Sequence, residues 1–254
     1  MTFSLGSIDD VDDVIEALDT VLALGVRGRH RWAIFAAMYR RVTIAVKHAI
    51  ERGEFDDGPR MSRFDAVFAL RYLRPLQAYL RGASVPRAWS VAFRATEDPS
   101  LTAMQLLLLG VNAHINLDLG FSVVEAGLEP EPFRTDFDRI NAILAGELDG
   151  VQEALDAVSP WLSGVDRIAG RADERLGVFV VVRARDQAWR SARAADSRSS
   201  QERAVYEATV DRNTAALAER IAYPRFPLSL LVRLIGWRES WTVPRMVELL
   251  GRPL

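Results

Sequence analysis

Four strongly hydrogen-bonding side chains interrupt an otherwise apolar run in LLLLGVNAHINLDLG, Leu106 to Gly120: Asn112, His114, Asn116 and Asp118. Histidine titrates close to neutrality, so His114 has the chemistry of a general base, a general acid or a metal ligand. An aspartate four residues further on shares its helix face, where it can fix the imidazole tautomer or share a ligand. Asn112 and Asn116 pair at the same spacing but, at about 100° per residue, on nearly the opposite face. One pocket cannot receive both pairs. The surrounding leucines put at least one pair in the interior, where an amide or imidazole without a partner costs about 1 to 3 kcal/mol.

Two arrangements meet that demand. In the first, His114 works at a pocket with Asp118 orienting it, while the asparagines tie this helix to backbone groups of its neighbours. In the second, all four residues join helices and His114 is a satisfied core histidine. Gly110, one turn before His114, leaves room beside the imidazole for a ligand or for a crossing helix.

The elements that must position these residues read as helices nearly throughout, with apolar residues recurring at three and four and Gly and Pro as punctuation. A first helix follows Ser7 and an acidic first turn and runs to about Leu24. A second covers about Arg31 to Arg52 and a third about Ser62 to Leu80, with Pro75 expected to kink or split it. A fourth follows Pro86. Asp98, Pro99 and Ser100 start the helix that carries the polar segment and ends near Gly120. Further helices are expected over about Pro132 to Val158, Asp173 to Ala195 and Gln201 to Ala222. The β-branched run LGVFVVV, Leu176 to Val182, reads as a buried helical turn because no second convincing strand exists to pair with it. The expected fold is all-α: a single multi-helix, bundle-like domain over 1–222, with a C-terminal helical tail over 223–254 packed on it.

The third helix carries Asp65, Phe68 and Tyr72 on one face, with Phe64 and Tyr79 close by. Such an aromatic stripe suits a core. A carboxylate among aromatics needs a partner, however, and His114 or an arginine is the obvious one. Asp65 and Tyr72 therefore join His114 and Asp118 as candidate catalytic residues, with Phe68 in the pocket wall.

Other motifs carry less. Asp9, Asp10 and Asp13 have the DDxxD spacing that holds magnesium and diphosphate in terpene synthases, but they open the first helix, where acidic residues suit the dipole, and no second magnesium motif exists. No phosphate loop, nucleophile elbow, HExxH or paired Glu-x-x-His motif is present. His48, beside Lys47, suits a helix end, and His30 among arginines is expected to face solvent. A heme axial role stays open for His30, His48 and His114, and neither metal nor cofactor can be named from the sequence.

Composition narrows the field. The net charge is −2, from 32 basic and 34 acidic residues, so no global field attracts nucleic acid. All the basic residues except Lys47 are arginine. The absence of cysteine removes disulfides, zinc thiolates and thiol nucleophiles. The N-terminal residues lack the pattern of a secretory signal, and no run is read as having the roughly 18 apolar residues of a transmembrane span, so a cytoplasmic location is expected. The tail from Pro224 holds five arginines against two glutamates, interleaved with Trp237, Trp241 and leucines. It suits a terminal helix on the body, a peripheral membrane contact or a homo-oligomer contact.

The segments VFALRYLRPLQAY, LLLLGVNAHINLDLG, TDFDRINAIL and ARDQAW together resemble the domain-of-unknown-function 5995 family, uncharacterised and mainly actinobacterial, over roughly Trp32 to Ala195. The resemblance implies an all-helical fold and no particular reaction. By position it points to Asn112, His114, Asn116 and Asp118, to Asp65, Phe68 and Tyr72, to Asp136 and Phe137, and to Arg185 and Trp189. Arg185 and Trp189 stand one turn apart, so a stacked guanidinium is expected to pair with Asp136 or Asp118. The reading these residues favour is an enzyme acting on a small, largely apolar metabolite. His114 is then the acid/base, Asp118 or Asp65 orients it, and Asn112, Asn116, Phe68, Asp136, Arg185 and Trp189 bind ligand. The alternative is a non-catalytic ligand-binding or scaffold protein in which the cluster is structural.

Overall fold

The computed structural model describes residues 3–159 and 172–252, the side chains of the second span from 182 onward. Its described secondary structure is helical, with no strand. The centre is a continuous rod formed by α5 (Ala103–Ala113), a π-helical turn (His114–Asp118) and α6 (Leu119–Glu125). Around it pack α2 (Ala33–Glu51), α3 (Gly58–Leu80), α4 (Arg87–Ala95), α8 (Ala172–Asp196) and α9 (Ser200–Ala222). Outside this ring, α1 (Val11–Gly28) lies along α2 and α3, and α7 (Pro130–Asp156) bridges α2 and α8.

Being central explains the composition of the rod. Residues Ala103–Glu125 are long and apolar enough to cross a bilayer, contrary to the expectation that no stretch qualifies, yet 72% of the apolar window is buried inside the fold. Its neighbours take the place that lipid would otherwise fill.

Local signals set most boundaries. Asp10, rather than Ser7, caps α1 by accepting from the amides of Asp12 and Asp13. Thr102 and Gln105 form a capping box at the start of α5, one turn beyond the Asp98 to Ser100 signal, and Ser199 and Glu202 form another at α9. Pro75 does not split α3, which runs unbroken to Leu80. Leu176–Val182 is helical within α8.

Helices α6 and α8 approach closely at Gly120, where a Cβ would stand 2.5 Å from the carbonyl oxygen of Ala188. A backbone oxygen cannot swing aside as a side chain can. Gly120→Ala is therefore expected to lower stability by about 1 to 3 kcal/mol despite its better helix propensity, by prying α6 from α8. Urea denaturation measures this, and an unchanged midpoint would refute it.

The tail forms α10 (Leu228–Arg238) and α11 (Val243–Leu250). Helix α11 buries Val243, Met246, Leu249 and Leu250 against α1, α2 and α7. Glu239 anchors the connection by accepting from the amide of Ala103, at the start of α5, at 2.7 Å.

Candidate functional site

His114 opens the π-helical turn, in which the amide of Leu119 bonds the carbonyl of His114 five residues back. One extra residue per turn re-phases α6 by about 100° relative to α5, and such wide turns concentrate at functional sites. The imidazole is buried, lies flat on Phe68 at 3.7 Å between ring centroids, and meets Tyr39 edge-on at 4.6 Å. Its Nδ1 is 3.1 Å from Oδ2 of Asp118. That oxygen also accepts from the indole Nε1 of Trp89 at 2.9 Å, while Nε of Arg71 is 3.6 Å from Oδ1. Arg71 in turn pairs with Glu125 at 2.9 Å and with Glu207. Asp118 is thus the joint between α3, α4 and the central rod.

Electrostatics follows from burial. Loss of water lowers the His114 pKa against the upward pull of Asp118, so the ring is a neutral imidazole at neutral pH. Burial pushes Asp118 up, opposed by His114, Arg71 and Trp89. With Nδ1 engaged by the carboxylate, Nε2 is left buried without a hydrogen-bond partner.

Two further polar atoms share that condition beside the same space. Oδ2 of Asp65 and the hydroxyl of Tyr39 are buried with no partner, and both residues, with His114, line a cavity of about 140 Å³. The rest of its wall is mainly apolar, including Phe35, Val46, Phe64, Phe68, Ile115 and Leu119. Burial alone raises Asp65 to about 7, and burial first, then Asp65 and Asp118, keep the Tyr39 phenol neutral. The expected partnership of Asp65 with His114 is not made: Asp118 holds the imidazole.

The remaining candidates divide. Phe68 and Arg185 reach the cavity wall. Arg185 is 3% exposed, donates to Asn141 Oδ1 at 2.7 Å and to the Phe137 carbonyl at 2.6 Å, and stacks over Phe137. Burial lowers its pKa to about 9. It pairs with neither Asp136 nor Asp118. Asp136 lies away from the cavity and clasps the α2–α3 loop to α7, accepting from the Asp56 amide and from Arg60 and Arg139, all at 2.7 Å. Those bonds outweigh the upward push of burial and hold its pKa below the ordinary value. Trp189 packs against Phe137, with Arg134 over its ring. Tyr72 is buried among Phe35, Trp89 and Phe93, outside the cavity wall.

Asn112 donates to the Thr214 carbonyl of α9 at 3.0 Å and accepts from Asn116 at 2.9 Å, so both asparagines face a neighbouring helix, opposite His114. The space opened by Gly110 is filled by the ring of Phe35 from the crossing α2. Asp9, Asp10 and Asp13 make the exposed cap of α1. His48 is exposed, whereas His30 is half-buried and stacked on Trp32 at 5.5 Å instead of facing solvent. Among the described residues, no three His, Cys, Asp or Glu side chains gather closely enough to hold a metal ion.

Residues 11–224 match the family described as Family of unknown function (DUF5995), a span that takes in the whole of this site. The chain belongs to this family. Neither a curated protein nor a solved structure matches it. The family match begins before and ends after the segments from which the resemblance is read, and it stops just short of α10.

Sequence reasoning passes over Tyr39, Arg71 and Trp89. Tyr39 does carry a signal, since it lies in the stripe Phe35, Tyr39, Val42, Val46, where a phenol interrupts an apolar face. For Arg71 and Trp89 no local pattern marks them, because their partner Asp118 is distant in sequence.

Proposed function

We propose that the cavity binds a small, largely apolar molecule and that the protein transfers protons to or from it, with His114 Nε2 as base and Asp65 as acid. The observation that carries this reading is that three residues with buried, unpartnered polar atoms, Tyr39, Asp65 and His114, line one apolar cavity. Each costs about 1 to 3 kcal/mol if nothing bonds to it, which a ligand of matching chemistry would offset. A neutral imidazole and, on the wall of the same cavity, a carboxyl group that burial raises to about 7 are the combination acid/base chemistry requires at neutral pH. Asp118 acts as a positioning residue that fixes the tautomer. A cavity of this volume suits a single-ring or short-chain compound, since an apolar cavity of about 150 Å³ accommodates benzene.

The test is a thermal-shift panel of single-ring and short-chain carbonyl compounds, followed by proton NMR in D2O with each compound that raises the melting temperature. At least one compound is expected to bind and to exchange protons next to its carbonyl, about 100-fold or more faster with wild type than with His114→Ala. Absence of any binder, or equal exchange with the variant, would end this proposal.

A non-catalytic binding or scaffold role is favoured by the ties of Asp118 to Trp89 and Arg71, which join helices whether or not a ligand is present. It predicts that His114→Ala melts well below wild type. The catalytic reading expects unchanged or raised melting, because a strained polar site is relieved.

A further inference from the structure

We infer that α10 is a docking surface for an anionic lipid bilayer, an inference independent of the cavity. The segment just after the family match leaves an unusual amount of apolar surface in water: Phe226 is 80% exposed and Trp237 77%, with Leu228, Leu230, Leu231 and Leu234 also exposed. In α10 only Ile235 is buried. At about 100° per residue, Leu230, Leu234 and Trp237 centre one face, and Ile235 lies on the side toward the body. Arg233 and Arg238 fall about 70° to either side of that centre, where their long stems can reach past the apolar stripe to headgroup level. Arg225 precedes the helix, all three arginines are exposed, and no acidic residue occurs from Pro224 to Arg238.

Apolar centre, flanking cations and an exposed tryptophan are what an anionic membrane interface selects. Eleven residues rise about 16 Å, too short to span the hydrocarbon, so the helix lies along the surface. A second copy of the chain is a poorer occupant, because a two-fold contact through this face sets its own arginines against one another with no carboxylate from the segment between them. The anchor is firm: Glu239 holds the start of α5, and Arg31 lies over Trp241 at 5.1 Å.

The test is co-sedimentation of the whole protein with vesicles of phosphatidylcholine alone and of phosphatidylcholine mixed with phosphatidylglycerol, at low and high salt. Binding is expected only with the anionic vesicles, with loss at 0.5 M salt expected from screening, since about 0.5 M brings the Debye length under roughly 5 Å. Arg233→Glu/Arg238→Glu should weaken it at least about 25-fold, taking about fivefold per basic residue at such a surface. Phe226→Ala/Trp237→Ala should abolish it while leaving circular dichroism and melting unchanged, as expected of exposed positions. No binding at low salt, or equal binding to neutral vesicles, would overturn the inference. So would concentration-dependent dimers in analytical ultracentrifugation that the Phe226→Ala/Trp237→Ala variant removes.

Discussion

Asp65→Asn is expected to gain stability over wild type as pH rises, by an amount on the order of 4 kcal/mol between pH 4 and pH 8. Burial raises this carboxyl from its ordinary 3.8 to about 7, with no opposing charge or hydrogen bond to offset it. Between those values the folded protein keeps a proton that the unfolded chain has released. Folding therefore binds protons, and stability falls with rising pH by up to about 1.4 kcal/mol per unit until the folded group ionises near 7. Below 3.8 both states are protonated and the group contributes nothing to the slope. His114 acts in the opposite direction, because its lowered pKa makes the folded state lose stability as pH falls below the ordinary histidine value. That contribution is common to wild type and variant, so the difference between them isolates Asp65. Urea denaturation of both proteins at half-unit steps measures it. A difference that stays flat with pH would show that Asp65 has an effective partner, and the reading of this carboxyl as a poised acid would fall with it.

The sequence makes the polar centre visible because periodicity encodes which side chains share a face. His114 with Asp118, opposed to Asn112 with Asn116, is a property of residue spacing, and both pairs are bonded as that spacing implies. Helix existence is equally legible, since apolar residues at three and four with caps at the ends are local signals. What spacing does not carry is the identity of partners from other elements. Asp136 and Arg185 are both buried charges, yet one meets Arg60 and Arg139 while the other rests on neutral oxygens, and nothing within either helix foretells that difference. The π-helical turn is hidden for a similar reason: its extra residue satisfies packing on α3, α8 and α9 at once, a tertiary demand that leaves no mark on HINLD. Gly110 and Gly120 read alike in sequence, but the first admits the Phe35 ring and the second a backbone carbonyl.

Asp118→Ala should be among the most destabilising single substitutions, at about 3 to 5 kcal/mol, because this carboxylate answers several donors at once. Its removal orphans the Trp89 indole N–H and the His114 Nδ1, both fully enclosed, at about 1 to 3 kcal/mol each. Arg71 suffers less, since Glu125 and Glu207 still neutralise it nearer the surface. Asp118→Asn can keep its amide oxygen at the Oδ2 position, where it still accepts from both the indole and the imidazole, while its NH2 replaces the oxygen that faces Arg71, so it should recover most of the loss. The decisive comparison adds Trp89→Phe, which deletes the orphaned donor while keeping an aromatic ring. If the indole bond is the main tie between α4 and the rod, Asp118→Ala should cost about 1 to 3 kcal/mol less in the Trp89→Phe background than in wild type. Strict additivity in urea denaturation would mean that Asp118 stabilises the fold through Arg71 and His114 alone, and α4 would then owe its position to the packing of Trp89 against Phe35 and Tyr72.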